Sequence, residues 1–130
     1  IFTAVAECGL SLYNFGKIVS IPTPQKNFQP SSFADSILEN KKLGLHTLVL
    51  LDINMPAAQG IDILLGIEKS SRKKIISDQK IIGCSCLGSD KQKILYRSAG
   101  ELLTSDFGPP SVLIVPGKMH FTEKEFLEGL

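Results

Sequence analysis

Apolar and polar positions alternate along the chain in two periods, one near 3.6 residues and one of two, and so divide it into helices and strands. Ile1 to Leu12 carries apolar residues at helix-like intervals, with Gly9 where a helix would weaken. Lys17 to Ile21 is β-branched and halted by Pro22 and Pro24, which predicts a strand and then a loop to Pro30. Ser31 offers an N-cap for a helix through Leu43, with Phe33, Ile37 and Leu38 on one face and Gly44 at the C-cap. His46 to Ile53 is a continuous apolar run, the pattern of a strand covered on both faces. Ile61, Leu64, Leu65 and Ile67 then give Ala57 to Glu68 a helical period, and the basic stretch Lys69 to Lys74 reads as its solvated end. Lys80 to Leu87 and Lys93 to Arg97 predict a hairpin turning at Gly88, Ser89 and Asp90. A short helix over Glu101 to Ser105, a Gly-Pro loop over Asp106 to Ser111 and a buried-type strand over Val112 to Val115 follow. Thr122 with Glu125 is a capping-box spacing that opens the last helix. Together these segments predict an α/β domain with about five strands in a mixed sheet, one hairpin and flanking helices.

Composition narrows the function classes. A domain of 130 residues buries roughly 65–70% of the surface of its unfolded chain, enough for a core without disulfides or a structural metal. With 43% apolar residues and a mean hydropathy of +0.15 the pattern is that of a globular domain. Fourteen basic against thirteen acidic side chains leave a net charge of +1, without the excess of Lys and Arg that holds nucleic acid or an anionic membrane. The longest apolar run, Thr47 to Ile53, is interrupted by Asp52 and far shorter than the roughly 20 residues of a spanning helix. Three cysteines, with Cys84 and Cys86 two apart, do not form a secreted disulfide framework and favour an intracellular protein. The chain starts at Ile1 inside an apolar segment and closes on an amphipathic one at Leu130, the expected look of a piece cut from a longer protein.

Individual motifs carry little chemistry. Leu50-Leu51-Asp52 followed by Met55-Pro56 is similar to the phosphoacceptor segment of receiver domains, with Lys118 as a distant candidate for their lysine. Phosphorylation of Asp52 would need a Mg²⁺ held by further carboxylates. The first predicted strand is followed by Pro22, Thr23, Pro24 and Gln25 instead, so a strand-end Asp bonded to local N–H groups is the plainer account. Cys8, Cys84, Cys86, His46 and His120 have no metal-ligand spacing, and the two histidines stand isolated in the sequence. Gly83, Gly88, Gly100, Gly108 and Gly117 are scattered in turns and do not form a phosphate-cradling loop.

Blocks of sequence taken in order say more. Ile1-Phe2-Thr3-Ala4-Val5, Gly9 to Lys17, Gly44 to Ile53, Asp106-Phe107-Gly108-Pro109-Pro110 and Leu113 to Lys118 with His120 resemble the diphthine synthase family, in that family's order and near its spacing. The resemblance implies the later part of a tetrapyrrole methylase-like enzyme, with an N-terminal domain missing from the residues in hand and residues 1–15 a truncated interdomain helix. It implies an S-adenosyl-L-methionine-dependent methyltransferase that methylates the amino group of a modified histidine on translation elongation factor 2 during diphthamide biosynthesis. A homodimer, a cytoplasmic location and an inactive isolated domain are part of the same expectation.

Carried over residue by residue, the resemblance implies cofactor contacts at Ile1, Leu51, Leu87 and Ser111. Ser111 departs from the family, which has a histidine there after a loop one residue longer. No catalytic residue is assigned, because the sulfonium is already an activated electrophile and the enzyme has chiefly to align an unprotonated amine and exclude water. A dimerisation or regulatory domain without catalysis is the bland alternative, to which only Ser111 points.

Overall fold

The computed structural model describes residues 15–21, 32–52, 55–72, 74–77, 79–85, 90, 93–104, 111–118 and 121–129. The predicted helix over Ile1 to Leu12, the N-cap at Ser31 and the turn residues Gly88 and Ser89 lie outside them. In chain order the elements are β1 (Val19–Ile21), α1 (Ser32–Lys42), β2 (Thr47–Leu51), α2 (Ala57–Ser71), β3 (Lys80–Ser85), β4 (Lys93–Ser98), α3 (Ala99–Leu103), β5 (Ser111–Val115) and α4 (Phe121–Glu128). The five strands form one mixed sheet in the order β1-β2-β5-β3-β4, with β1 parallel to β2 and every other pair antiparallel. The α/β architecture and the hairpin are thus as the pattern predicts.

Two-residue alternation sorts the strand residues onto two faces. Val19, Ile21, Val49, Ile81, Leu113 and Val115 meet Phe33, Ala34 and Ile37 of α1, Ala57, Ile61 and Leu64 of α2, and Ala99 and Leu102 of α3 in one buried cluster. Leu48, Ile82, Cys84, Tyr96 and Ile114 form a second cluster on the other face with Leu127 of α4. His46 to Leu51 reads as a continuous apolar run because β2 is covered on both sides.

Several boundaries move. Lys17 precedes β1: its N–H donates to Asn40 Oδ1 at 3.2 Å and its carbonyl accepts from Asn40 Nδ2 at 2.9 Å, so a buried side chain of α1 does the work of a strand partner. Gly44 sits at φ 77, the left-handed turn after α1 that its C-cap position requires. α2 runs on to Ser71 and stops at Arg72, itself left-handed at φ 60 with its N–H on the Glu68 carbonyl. The short helix begins two residues earlier than predicted: Ser98 Oγ accepts from the Glu101 N–H and donates to the Glu101 carboxylate. The Ser-x-x-Glu cap is therefore at Ser98, whereas α4 starts at Phe121 and places Thr122 inside the helix, where it cannot be the predicted N-cap.

Candidate functional site

Strand directions decide which residues can act together. β1, β2 and β3 all finish at one end of the sheet and β5 starts there, because β5 is antiparallel to both β2 and β3. Ser111 is the first residue of β5, not the last of the preceding loop, and its partner across the ladder is Ser85, the last residue of β3. Ser85 in turn pairs with Lys93 of β4. Since Leu50 pairs with Val112, Leu51 ends β2 one step further towards Ser111. Leu51, Ser111, Ser85 and Lys93 thus lie in a row across the sheet, on the face that carries α1, α2 and α3. The carboxyl ends of strands are where α/β sheets bind ligands.

Within the row the two hydroxyls are buried, Ser85 to 4% exposure and Ser111 to 6%, while Leu51 is half-buried. Leu51 is held from behind by α2: Gly60 leaves so little room that a Cβ there would stand 2.7 Å from Leu51 Cδ2. An apolar wall beside two buried hydroxyls suits a ligand with both apolar and polar parts. Of the predicted contacts, Leu51 and Ser111 come together here, while Leu87, two residues beyond Ser85 in sequence, and Ile1 lie outside the described residues. Sequence reading missed Ser85, whose signal was a hydroxyl in an otherwise apolar strand with no turn residue beside it.

The receiver reading fails on the same topology. Asp52 follows the carboxyl end of β2, but Lys118 follows the carboxyl end of the antiparallel β5 and donates its backbone N–H to the Gly44 carbonyl. The two side chains belong to opposite ends of the sheet. Among the described residues no group of three or more His, Cys, Asp or Glu could hold a metal ion. The Asp52 carbonyl accepts the Met55 N–H at 2.8 Å, closing the turn into α2.

At that opposite end His46 is not isolated. It is fully buried, edge-on to the Phe15 ring, with Nδ1 accepting the Gly117 N–H at 2.9 Å and Nε2 3.2 Å from Glu123 Oε2. Because a backbone N–H can only donate, Nδ1 is the bare nitrogen and Nε2–H donates to the Glu123 carboxylate. This pair ties α4 to β2; 77 residues of sequence separate its members, so spacing could not reveal it. Glu68 anchors another junction: its Oε1 accepts the N–H groups of Ile75, Ile76 and Ser77. Burial pushes the Glu68 carboxyl up, but the donors from Ser77, Ile75 and Ile76 outweigh it and leave its pKa below the ordinary 4.5. The concavity lined by Asp62, Leu65, Gly66, Glu68, Lys69, Arg72 and Lys74 lies along the later turns of α2, remote from the row. Its charged lining is that of a solvated groove.

Known proteins resemble this chain over its whole length. The chain is 41% identical over 138 residues to the diphthine synthase of Methanococcus aeolicus, and 40% identical over 140 residues to that of Methanocaldococcus jannaschii. Each match takes in 100% of this chain and 54% of the relative. The chain is homologous to part of the diphthine synthases. The crystal structure of a putative diphthine synthase from Entamoeba histolytica superposes with a TM-score of 0.91 at 34% identity, over 97% of this chain and 54% of that one. No family model matches the chain. The chain therefore spans about half the length of its diphthine synthase relatives, and over that half shares their fold.

Proposed function

We propose that this chain is the C-terminal α/β domain of an S-adenosyl-L-methionine-dependent methyltransferase that acts on the amino group of a modified histidine of elongation factor 2. The observation that carries this reading is the 41% identity to a diphthine synthase across the entire chain. The row at the strand ends supports it, because a half-buried leucine and two buried hydroxyls suit a nucleoside-bearing cofactor. When bound, S-adenosyl-L-methionine supplies a methyl group on a sulfonium, which needs no further activation.

In this reading Leu51 forms part of the apolar wall, and Ser111, through its hydroxyl or the backbone beside it, takes the place of the histidine that the family resemblance implies there. Ile1 and Leu87 are proposed contacts on the same ligand. A second, N-terminal domain completes the cleft, so that this domain alone is inactive. The site has then to hold the amine unprotonated and in line with the methyl carbon, excluding water from both. Ile1, Leu51, Leu87 and Ser111 would hold the cofactor, which would supply the methyl group to the amine. No side chain of this domain is assigned as its base.

A homodimer in the cytoplasm belongs to the same reading, resting on the family resemblance. Incubating the product of the complete reading frame with methyl-labelled cofactor and elongation factor 2 bearing the modified histidine should label the factor. Failure of that product to bind either S-adenosyl-L-methionine or S-adenosylhomocysteine in calorimetry would reject the proposal.

A further inference from the structure

We infer that the concavity along α2 is a docking groove for an acidic, extended segment of the protein substrate. The inference rests on the methyltransferase reading above and adds to it a contact surface away from the row. The cavity, about 570 Å³, follows Asp62, Leu65, Gly66 and Lys69, spaced i, i+3, i+4 and i+7 on one helix face, and ends at Arg72 and Lys74. Solvation accounts for exposed charges on a helix, but two residues here cost stability without a packing reason. Gly66 lies in the interior of α2, where a Cβ would meet nothing within 4 Å, and a glycine in that position weakens a helix. Arg72 adopts φ 60, where glycine is the easy residue. Both line the same cavity, Gly66 leaving its floor open beside half-buried Leu65 and Arg72 bounding its end. Local rules broken twice at one place mark a site kept for function.

Charge selects the occupant. Lys69, Arg72 and Lys74 are exposed, and none of their side chains pairs with another described residue. Glu68 also lines the cavity, but its Oε1 is engaged by the N–H groups of Ile75, Ile76 and Ser77. Asp62 lies about 10 Å back from Lys69 along the helix axis, so the cations gather at one end. They suit the carboxylates of a peptide, and Leu65 with open Gly66 takes a small apolar side chain beside them. A nucleic-acid strand following the groove would run its phosphates past the Asp62 carboxylate, which a peptide can meet with a cation of its own. Gly60, against Leu51, is about 18 Å from Arg72 along α2. A protein interface of ordinary size, roughly 800 Å² a side, spans that distance and lets one partner surface reach both the row and the groove.

The test follows methyl transfer to elongation factor 2 bearing the modified histidine, catalysed by the product of the complete reading frame. Lys69→Glu, Arg72→Glu and Lys74→Glu combined should raise KM for the factor about tenfold, with kcat and the Kd for S-adenosylhomocysteine within about twofold of wild type. Raising NaCl from about 50 to about 300 mM should raise the wild-type KM and leave that of the triple variant nearly level. Gly66→Leu, which fills the floor and restores helix propensity, should raise KM about fivefold and the melting temperature by about 2–4 °C together. A merely structural glycine would not weaken substrate use while the protein gains stability. KM within about twofold of wild type in both variants overturns the inference, as does an equal salt response of wild type and triple variant. A fall in kcat matching the rise in KM places the effect at the row and overturns it too. So does an unmoved KM where wild type alone shifts a transfer RNA in a gel, which gives the groove to nucleic acid. A wild type that methylates no elongation factor 2 rejects the function proposed above, a different result from these.

Discussion

Single side chains fix the geometry that the row depends on. Gly60 lets α2 lie against the end of β2, and a methyl group there would press on Leu51 Cδ2 at 2.7 Å and Cδ1 at 3.3 Å. Gly60→Ala should therefore destabilise the domain by about 1–2 kcal/mol, overpacking outweighing the gain in helix propensity. In a Leu51→Ala background the same substitution should turn stabilising by about 0.5–1 kcal/mol, since the obstacle is gone and the propensity remains. Paired urea melts of the four proteins check the reversal. Glu68 gives a pH signature. Its carboxyl titrates lower in the folded chain than in the unfolded one, so its stabilisation is complete above the ordinary value of 4.5 and is lost as pH falls through the folded value. Glu68→Gln should cost about 1 kcal/mol at pH 7 and progressively less below pH 4.5, measured as the difference in urea midpoint between variant and wild type.

Helix ends show which signals were legible in sequence. Segment periods located every strand and helix among the described residues, because burial on one face or two writes itself into the order of apolar positions. Ends were less legible. Ser98-x-x-Glu101 and Thr122-x-x-Glu125 are the same pattern, but β4 delivers Ser98 extended at φ −65 and ψ 159 to the start of α3, whereas Thr122 is the second residue of α4. The end of α2 depends on backbone conformation and not on pattern: Arg72 adopts φ 60, a region costly for a side chain bearing Cβ. Arg72→Gly should raise stability by about 0.5–1 kcal/mol in thermal melts, and Arg72→Val should lower it. Among the described residues, Leu127 in the second cluster and Glu123 on His46 Nε2 fasten α4. Glu123→Ala leaves the buried Nε2–H without its acceptor and should cost about 1–3 kcal/mol. Native-state hydrogen exchange should show α4 amides losing protection before those of β2.

Across the whole sheet, antiparallel β5 between β2 and β3 separates two ends with different work. The end formed by Gly44, His46, Gly117 and Lys118 is bound by backbone bonds and the buried histidine, and a Cβ at Gly117 would stand 2.3 Å from the Leu45 carbonyl oxygen. The other end gathers Leu51, Ser85 and Ser111. None of this was available from linear order, which placed Lys118 downstream of Asp52 without showing that the antiparallel return carries it to the far end. Similarity to the diphthine synthases supports the proposed chemistry, and the ladder register supplies the neighbours. A ligand held at the second end should slow amide exchange most at the last residues of β2 and β3 and the first of β5, where burial by the ligand adds to the ladder bonds. The end at Gly44 and Gly117 should change by no more than the general gain in global stability. Hydrogen exchange of the complete reading-frame product, with and without saturating S-adenosylhomocysteine, measures both ends at once. Equal slowing at the two ends would mean stabilisation without local contact, and greater slowing at Gly44 and Gly117 would place the ligand at the wrong end of the sheet.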